Sequence, residues 1–287
     1  FFSSNPMTIF PSTLDVPRDF LQSHPFGAYT VLPLNSITTD LPFHINRLVD
    51  SIEIANTQSA IASTKEILYA MQRSTSSTTS STTTTPVATL LWTTPSPISP
   101  ITVLGHLSHI NITNSPIDCV LMDPNTPIKR INPQFKHSKW ITQRVPLERA
   151  RASVLNSAPK PKPKPNPNSN SNCNFGRPEA ILTEFDSAGR VRLLEGLTSN
   201  VFVRDSASQV LQTSPLQWGI LPGVRRHNLL SNDLDSDCGI EKGIHLDESD
   251  NWDELLVTSS IGTKTVARLF SWTGELLWEC KPSTCIA

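Results

Sequence analysis

No apolar run in the 287-residue chain approaches the length of a membrane-spanning helix, so a helical anchor within it is excluded. There is no excess of positive charge either. The 24 Lys and Arg face 25 Asp and Glu, a formal net charge of −1, which argues against a nucleic-acid surface, and there is no acidic tail. The five cysteines (Cys119, Cys173, Cys238, Cys280 and Cys285) are scattered and odd in number. They fit neither a zinc spacing nor a disulfide framework, a pattern that predicts a reducing compartment and no metal. Tyrosine is scarce, with only Tyr29 and Tyr69. The first residue is Phe1 rather than methionine. The expectation is therefore a processed or truncated chain, intracellular, either cytoplasmic or lodged in a mitochondrion or plastid after loss of a targeting peptide.

What is present is enough chain for a sizeable core, in one large or two ordinary domains. Two low-complexity inserts interrupt it. Residues 74–86 (STSSTTSSTTTTP) have nothing to bury, and residues 159–174 (PKPKPKPNPNSNSNCN) begin in polyproline-like extension and relax into a polar run. Patterned segments flank both, so both are expected to be surface loops within folded lobes. Residues 27–34 alternate like a strand. Residues 41–60 are expected to form a helix with Ile45, Leu48, Val49 and Ile52 on one face, and residues 64–73 a second helix. Residues 87–94 and 101–112 are expected to be strands. Residues 137–153 are partly helical, with Pro146 bending or breaking them. Beyond residue 175 the pattern is strand-rich, with the stretch Asp186-Ser187-Ala188-Gly189 as a hairpin turn. The class is α+β in two lobes, a smaller one over residues 1–130 and a larger one over residues 131–287.

Four stretches carry candidate chemistry. They are His44-Ile45-Asn46-Arg47-Leu48, the run from Arg130 through Pro133 to Lys136, the run Glu195-Gly196-Leu197-Thr198-Ser199-Asn200-Val201-Phe202, and residues 213–226 (TSPLQWGILPGVRR) with residues 253–262. Taken singly, each has a bland reading. A His–Arg pair is usually a solvated helix face, a lysine is surface charge, glycines around Pro222 make turns, and Thr258-Ser259-Ser260 ends a strand. In the stretch around Glu195, a carboxylate beside a polar kink in a strand is either a solvated bulge or an acid aimed at a cation.

In order and content the set resembles the fold-type IV pyridoxal-phosphate enzymes, which include branched-chain and D-amino-acid aminotransferases and aminodeoxychorismate lyase. The resemblance spans roughly residues 27–270, and the block from Glu195 to Arg226 is its specific part. It implies a D-amino-acid aminotransferase-like fold and pyridoxal 5′-phosphate held as a Schiff base by Lys136. Lys136 is chosen over Lys139 because it ends an Arg-x-x-Pro-x-x-Lys run. Its amine would shuttle protons, and partial burial that favours the neutral form would help.

The resemblance further implies that Glu195 partners the pyridine nitrogen, with Asn200 beside it, and that Arg47 holds the phosphate as a bidentate guanidinium. Gly223 and Val224 would offer backbone N–H groups to the phosphate, at a helix start if one begins there. Ser260 would add a hydroxyl, and Ser260 with Ile261 would reach the substrate carboxylate. The implied activity is an aminotransferase acting on an amino acid and a keto acid. The alternatives are a lyase of an amino-chorismate and a non-catalytic relative kept as an assembly subunit. A homodimer is implied too. The apolar strand faces Leu90-Leu91-Trp92 and Ile101–Leu107 suggest the same, since a small lobe would leave them uncovered.

The chain departs from the pattern in two places. Trp140 and Ile141 stand where relatives carry a tyrosine soon after the lysine. No arginine lies in residues 87–112 to bind a substrate carboxylate; His106 and His109 are the nearest polar groups, and both read best as ordinary strand histidines.

Overall fold

The computed structural model of the chain describes residues 8–10, 17–24, 26–52, 57–76, 84–94, 99–112, 115–126, 130, 132–158, 176–231 and 239–281. The chain divides into two compact units. One comprises Phe1–Ile112 with Arg130–Gln143, the other Thr113–Lys129 with Arg144–Ala287. The segment bearing Lys136, which the sequence grouped with the larger lobe, thus belongs to the first unit. No helix among the described residues is long and apolar enough to cross a membrane.

The first unit is built on a four-stranded sheet of β1 (Thr8–Phe10), β2 (Ala28–Pro33), β3 (Thr84–Thr93) and β4 (Thr102–Asn111), in the order β1-β4-β3-β2. Its helices are α1 (Pro17–Gln22), α2 (Ile37–Asp50), α3 (Gln58–Ser76) and α4 (Lys139–Gln143). Apolar side chains of α2 and α3, among them Leu48, Ile67, Leu68 and Met71, pack on Leu32, Leu90 and Trp92 from the strands. The Trp92 indole donates to Thr64 Oγ1 at 2.8 Å, which satisfies its one polar atom inside that core.

Three sequence expectations change here. The long helix over residues 41–60 is two elements. The Ser51 hydroxyl donates to the Arg47 carbonyl at 2.6 Å and competes for the acceptor at the end of α2. The ends of the Ser/Thr-rich insert are ordered. Ser74 and Thr75 extend α3, with their hydroxyls donating to the Met71 and Gln72 carbonyls at 2.7 and 2.9 Å, while Thr84–Pro86 lengthen β3. Residues 77–83 of that insert lie outside the described residues, as does all of 159–174. Finally, Leu90, Leu91 and Trp92 are fully buried within the single chain, and Ile101, Val103 and Leu104 nearly so. The two helices and α1 already cover the sheet, so these faces give no independent support for a dimer.

The second unit contains β5 (Ile117–Leu121), α5 (Val145–Ser157), β6 (Glu179–Phe185), β7 (Val191–Gly196), β8 (Asn200–Asp205) and β9 (Leu211–Thr213). After these come α6 (Val224–Ser231), β10 (Gly239–Glu241), β11 (Ile244–His245), β12 (Trp252–Ser259), β13 (Gly262–Phe270) and β14 (Leu276–Glu279). Ten strands form one sheet, and a β7–β8 pairing closes the run β8-β12-β13-β5-β6-β7 on itself. Closure removes the edges from those six strands, which enclose a core of Val201, Val203, Leu255, Val266 and Leu269.

Local signals explain the elements. Asp186 accepts the Ala188 and Arg190 N–H groups at 2.9 Å each, and Gly189 takes φ 78°, so the β6–β7 hairpin turns where the sequence predicts. Pro146 does break the helical stretch, by opening a new helix. It lies in the first turn of α5, where its missing N–H costs nothing. The cysteines need one correction. Cys119 is a buried free thiol, but Cys280 is disulfide-bonded. Pairing depends on Cβ–Cβ distance in the fold, which spacing along the chain does not reveal.

Candidate functional site

Lys136 lies on a short extended segment docked against β2. The Tyr29 N–H donates to the Lys136 carbonyl and the Ser138 N–H to the Gly27 carbonyl, both at 2.8 Å, and Ala28 bridges His137 in antiparallel sense. A turn delivers the segment there. Asn132 takes φ 50°, which asparagine tolerates, Pro133 fixes the next φ, and the Phe135 N–H closes the turn on the Asn132 carbonyl at 2.9 Å. The Lys136 Nζ is 5.0 Å from the centroid of the Tyr29 ring. Lys136 is half-buried, whereas Lys139 is exposed as the first residue of α4. The segment is extended up to Ser138, so the two lysines do not share a helix face.

Arg47 and His44 are one turn apart on α2 and so meet on the same face. Both are buried, and both reach Thr30 on β2. The Arg47 Nη2 donates to Thr30 Oγ1 at 2.5 Å, and Thr30 Oγ1 lies 2.5 Å from His44 Nδ1. Arg47 Nη2 also lies 3.4 Å from His44 Nδ1, and a guanidinium can only donate, so Nδ1 is the acceptor and the neutral imidazole carries its hydrogen on Nε2. Its pKa agrees in direction. Burial pushes His44 well below the usual histidine range, and the charges of Arg47 and Lys136 push the same way. Arg47 is lowered to about 10, chiefly by burial, and so keeps its charge at neutral pH. His44 Nε2 and Arg47 Nε are both buried and make no hydrogen bond among the described residues.

In the second unit Glu195, on β7, is 2% exposed. Its cross-strand partner is Asn200 on β8. Together they grip one residue of the loop before α6. The Leu221 N–H donates to Glu195 Oε2 at 3.0 Å, and Asn200 Nδ2 donates to the Leu221 carbonyl at 2.8 Å. The loop runs so close that a Cβ on Gly223 would lie 2.1 Å from Asn200 Oδ1, which only glycine avoids. A helix does begin at Val224. The polar kink between β7 and β8 is tied down as well: Thr198 and Ser199 hydroxyls donate to Glu179 Oε2 at 2.6 and 3.1 Å. Behind the loop, Arg226 is buried and donates to the Ser214 carbonyl at 3.0 Å and to Glu241 Oε1 at 2.5 Å.

Ser260 and Ile261 form the two-residue turn between β12 and β13, where Ser259 pairs with Gly262. Two residues back, Thr258 pairs with Asn200, so Glu195, Asn200 and Thr258 lie in a row across β7, β8 and β12. Thr258 is fully buried, and its Oγ1 makes no hydrogen bond among the described residues.

The structure thus groups Lys136 and Arg47 around β2, and Glu195, Asn200, Gly223, Val224, Ser260 and Ile261 around the neighbouring ends of β7, β8 and β12. Tyr29, Thr30 and Thr258 had no role in the sequence reading. Their signal was weak: two polar groups in a buried strand, and the first hydroxyl of a Thr-Ser-Ser run. His106 is fully buried and stacks on Phe20 at 5.4 Å between centroids, while His109 is exposed, so both are strand histidines without site geometry.

No family model matches the sequence. No curated protein matches it either. Solved structures do. A hypothetical aminotransferase from Mycobacterium tuberculosis, in its pyridoxal-phosphate-bound form, is similar with a TM-score of 0.62 and 15% identity, covering 91% of this chain and 85% of that one. A candidate 4-amino-4-deoxychorismate lyase from Legionella pneumophila gives 0.58 and 17%, over 97% and 95% of the two chains. A fold IV-transaminase from Curtobacterium pusillum gives 0.59 and 17%, over 86% and 80%. With these neighbours, the chain has the α+β fold of the fold-type IV aminotransferases.

Proposed function

We propose that the chain binds pyridoxal 5′-phosphate and acts as an aminotransferase on an amino acid and a keto acid. The observation that carries this reading is the clamp of Glu195 and Asn200 on Leu221. It is a buried carboxylate and amide holding a glycine-bearing loop, in a chain that shares its fold with a pyridoxal-phosphate-bound protein. The residues suit the group. Glu195 is a buried acid, Gly223 leaves a cradle that any side chain would fill, and the orphaned Thr258 Oγ1 and Arg47 Nε are buried donors without acceptors among the described residues.

When bound, pyridoxal phosphate supplies an aldehyde that a lysine amine can hold and a ring that withdraws electrons while its nitrogen is protonated. Lys136 would be the amine that holds it in this reading, and the same amine would take a proton from the substrate carbon and return one. The Tyr29 ring beneath Nζ and the main-chain bonds to β2 set its direction. Glu195 keeps a proton on the ring nitrogen. Arg47, Gly223 and Val224 bind phosphate, with Arg47 braced by Thr30. Ser260 and Ile261 face the substrate carboxylate, and the assembly is a homodimer.

The near end-to-end match to the Legionella pneumophila protein favours a second reading, a lyase of the same cofactor class. One experiment tests the proposal. The protein purified with added cofactor should be yellow, borohydride should fix one cofactor per chain, and peptide mapping should place it on Lys136. Amino-group transfer to a keto acid then separates aminotransferase from lyase. A colourless protein that borohydride leaves unlabelled ends both readings and leaves the non-catalytic one.

A further inference from the structure

We propose that His44 is a positioning residue: through the Thr30 hydroxyl it fixes the Arg47 guanidinium, and that fixed orientation makes the chain select a phosphate-bearing cofactor over its dephosphorylated form. The inference rests on the reading that Arg47 holds the cofactor phosphate.

The three side chains lie where the core is otherwise apolar. Thr30 stands between Ala28 and Leu32 on β2, and those two pack with Leu48 of α2. Alternate residues of a strand share a face, so Thr30 meets the same helix. His44 and Arg47 come from that helix, one turn apart. Thr30 and His44 are fully buried, and Arg47 is 7% exposed. Burying polar groups is unfavourable unless they bond to one another, and apolar side chains of similar shape would fill this interface equally well. Packing alone does not explain the three.

Their bonds run in one direction. Arg47 can only donate, and its Nη2 donates to Thr30 Oγ1 at 2.5 Å. His44 Nδ1 is an acceptor, so the hydrogen in its 2.5 Å contact with Thr30 Oγ1 is the hydroxyl's own. The hydroxyl thus gives its hydrogen to His44 and turns its lone pairs to Arg47. Burial first, and then the charges of Arg47 and Lys136, keep a proton off His44, which preserves Nδ1 as an acceptor. The guanidinium is therefore anchored at one nitrogen, while its Nε is buried and makes no hydrogen bond among the described residues. A planar fork held in one orientation matches two oxygens of a phosphate, and a fork free to turn loses part of that match. A ligand without the phosphate gains nothing from the anchor.

The test is equilibrium binding of pyridoxine 5′-phosphate and of pyridoxine to the full chain. Neither carries an aldehyde, so no lysine bonds to them, and the ratio of the two affinities reads the phosphate contacts alone. The wild type should prefer the phosphate ester by about a hundredfold, the size of two charge-assisted hydrogen bonds, and Arg47→Gln should remove the preference. His44→Phe, which fills the space but cannot accept, should cut the preference about tenfold, and Thr30→Val should do the same. His44→Asn, whose side-chain oxygen stands close to the place of Nδ1, should keep most of it. The double variant His44→Phe with Thr30→Val should lose no more than either single one, since both break the same chain of bonds. If His44→Phe does not fold, Thr30→Val and His44→Asn decide. A wild type without the preference overturns the phosphate reading of Arg47, and the inference with it. A preference that Arg47→Gln removes but His44→Phe and Thr30→Val leave whole overturns the inference alone. So does a loss in His44→Asn as large as that in His44→Phe, which would leave His44 with packing as its task.

Discussion

Glu195 is carried by a strand of a closed ring, while Lys136 hangs on the edge of an open sheet. The carboxylate is flanked by β6 and β8, and its oxygen is fixed by a loop that Asn200 also holds. The lysine rides on a segment joined to β2 by main-chain hydrogen bonds at Tyr29 and Ser138 and by one bridge, and β2 is an edge strand. In the proposed function the carboxylate has to stay put, and it is built into a ladder without edges. In the proposed function the lysine has to swing and exchange protons, and it is attached where local opening is cheap. Four changes test that contrast, from the largest expected effect to the smallest.

Replacing the two lysines should give the largest difference. Lys136→Ala is expected to abolish borohydride-fixable cofactor and reduce amino-group transfer to background, because the amine beside Tyr29 is removed. Lys139→Ala should keep the colour and most of the turnover, since that side chain is exposed at the start of α4. Absorption spectra and peptide mapping of the two variants read the outcome directly. Labelling that survives Lys136→Ala and vanishes in Lys139→Ala would move the reactive group by one residue triplet and detach it from β2.

Glu195→Gln comes next. The amide oxygen can still accept the Leu221 N–H, so the loop before α6 should keep its place and the cofactor should stay bound. The charge that the proposed function sets opposite the ring nitrogen is lost, and turnover should fall by about two orders of magnitude or more, the scale of a lost acid–base partner. Steady-state rates together with the bound-cofactor absorption separate this from simple loss of cofactor. Full turnover in the variant would leave Glu195 with a purely structural task.

The same contrast explains what the sequence made legible. The strand and polar-kink pattern from Glu195 to Phe202 was legible because a regular strand maps neighbours in sequence to neighbours in space, and the Thr-Ser kink is a hairpin pinned by Glu179. Arg47 shares a helix turn with His44, so its partner was within reach of periodicity. The supports from other elements were not legible. Nothing in the pattern of β2 says that Tyr29 will lie under Lys136 or that Thr30 will join Arg47 to His44, because those contacts come from chain segments far apart in sequence. Thr258 was hidden for the same reason, since its importance rests on register with Asn200. The supposed bare faces at Leu90–Trp92 and Ile101–Leu107 misled because the helices that cover them were read without their docking.

The clamp in the second unit can be broken from either side. Gly223→Ala places a methyl 2.1 Å from Asn200 Oδ1, so either the asparagine swings away from Leu221 or the loop shifts. A loss of about 1–3 kcal/mol is expected, the usual range for overpacking a tight site. Asn200→Ala should cost a comparable amount through the orphaned Leu221 carbonyl. The double variant should cost less than the sum, because removing the amide makes room for the methyl. Urea unfolding of the four proteins measures the coupling, and strict additivity would mean the two positions do not touch.

The smallest effect should come from His44, through pH. Its folded-state pKa lies well below 6.5, the value expected in the unfolded chain, because burial and the nearby charges of Arg47 and Lys136 disfavour the imidazolium. Above pH 6.5 the ring is neutral in both states, and its contribution to stability is constant. As pH falls below 6.5 the unfolded chain takes up a proton that the folded chain refuses. Stability then drops by up to about 1.4 kcal/mol per pH unit for one such group, until the folded pKa is reached. His137 is shifted in the same direction, so part of the slope belongs to it. His44→Gln should lower the melting temperature at pH 7.5, because the bond to Thr30 is weakened, yet it should flatten the decline between pH 6.5 and 5. The gap between wild type and variant should therefore narrow as pH falls. Parallel melting curves across that range would mean that His44 accepts its proton in the folded state, and that the edge of the first unit tolerates charge as readily as solvent does.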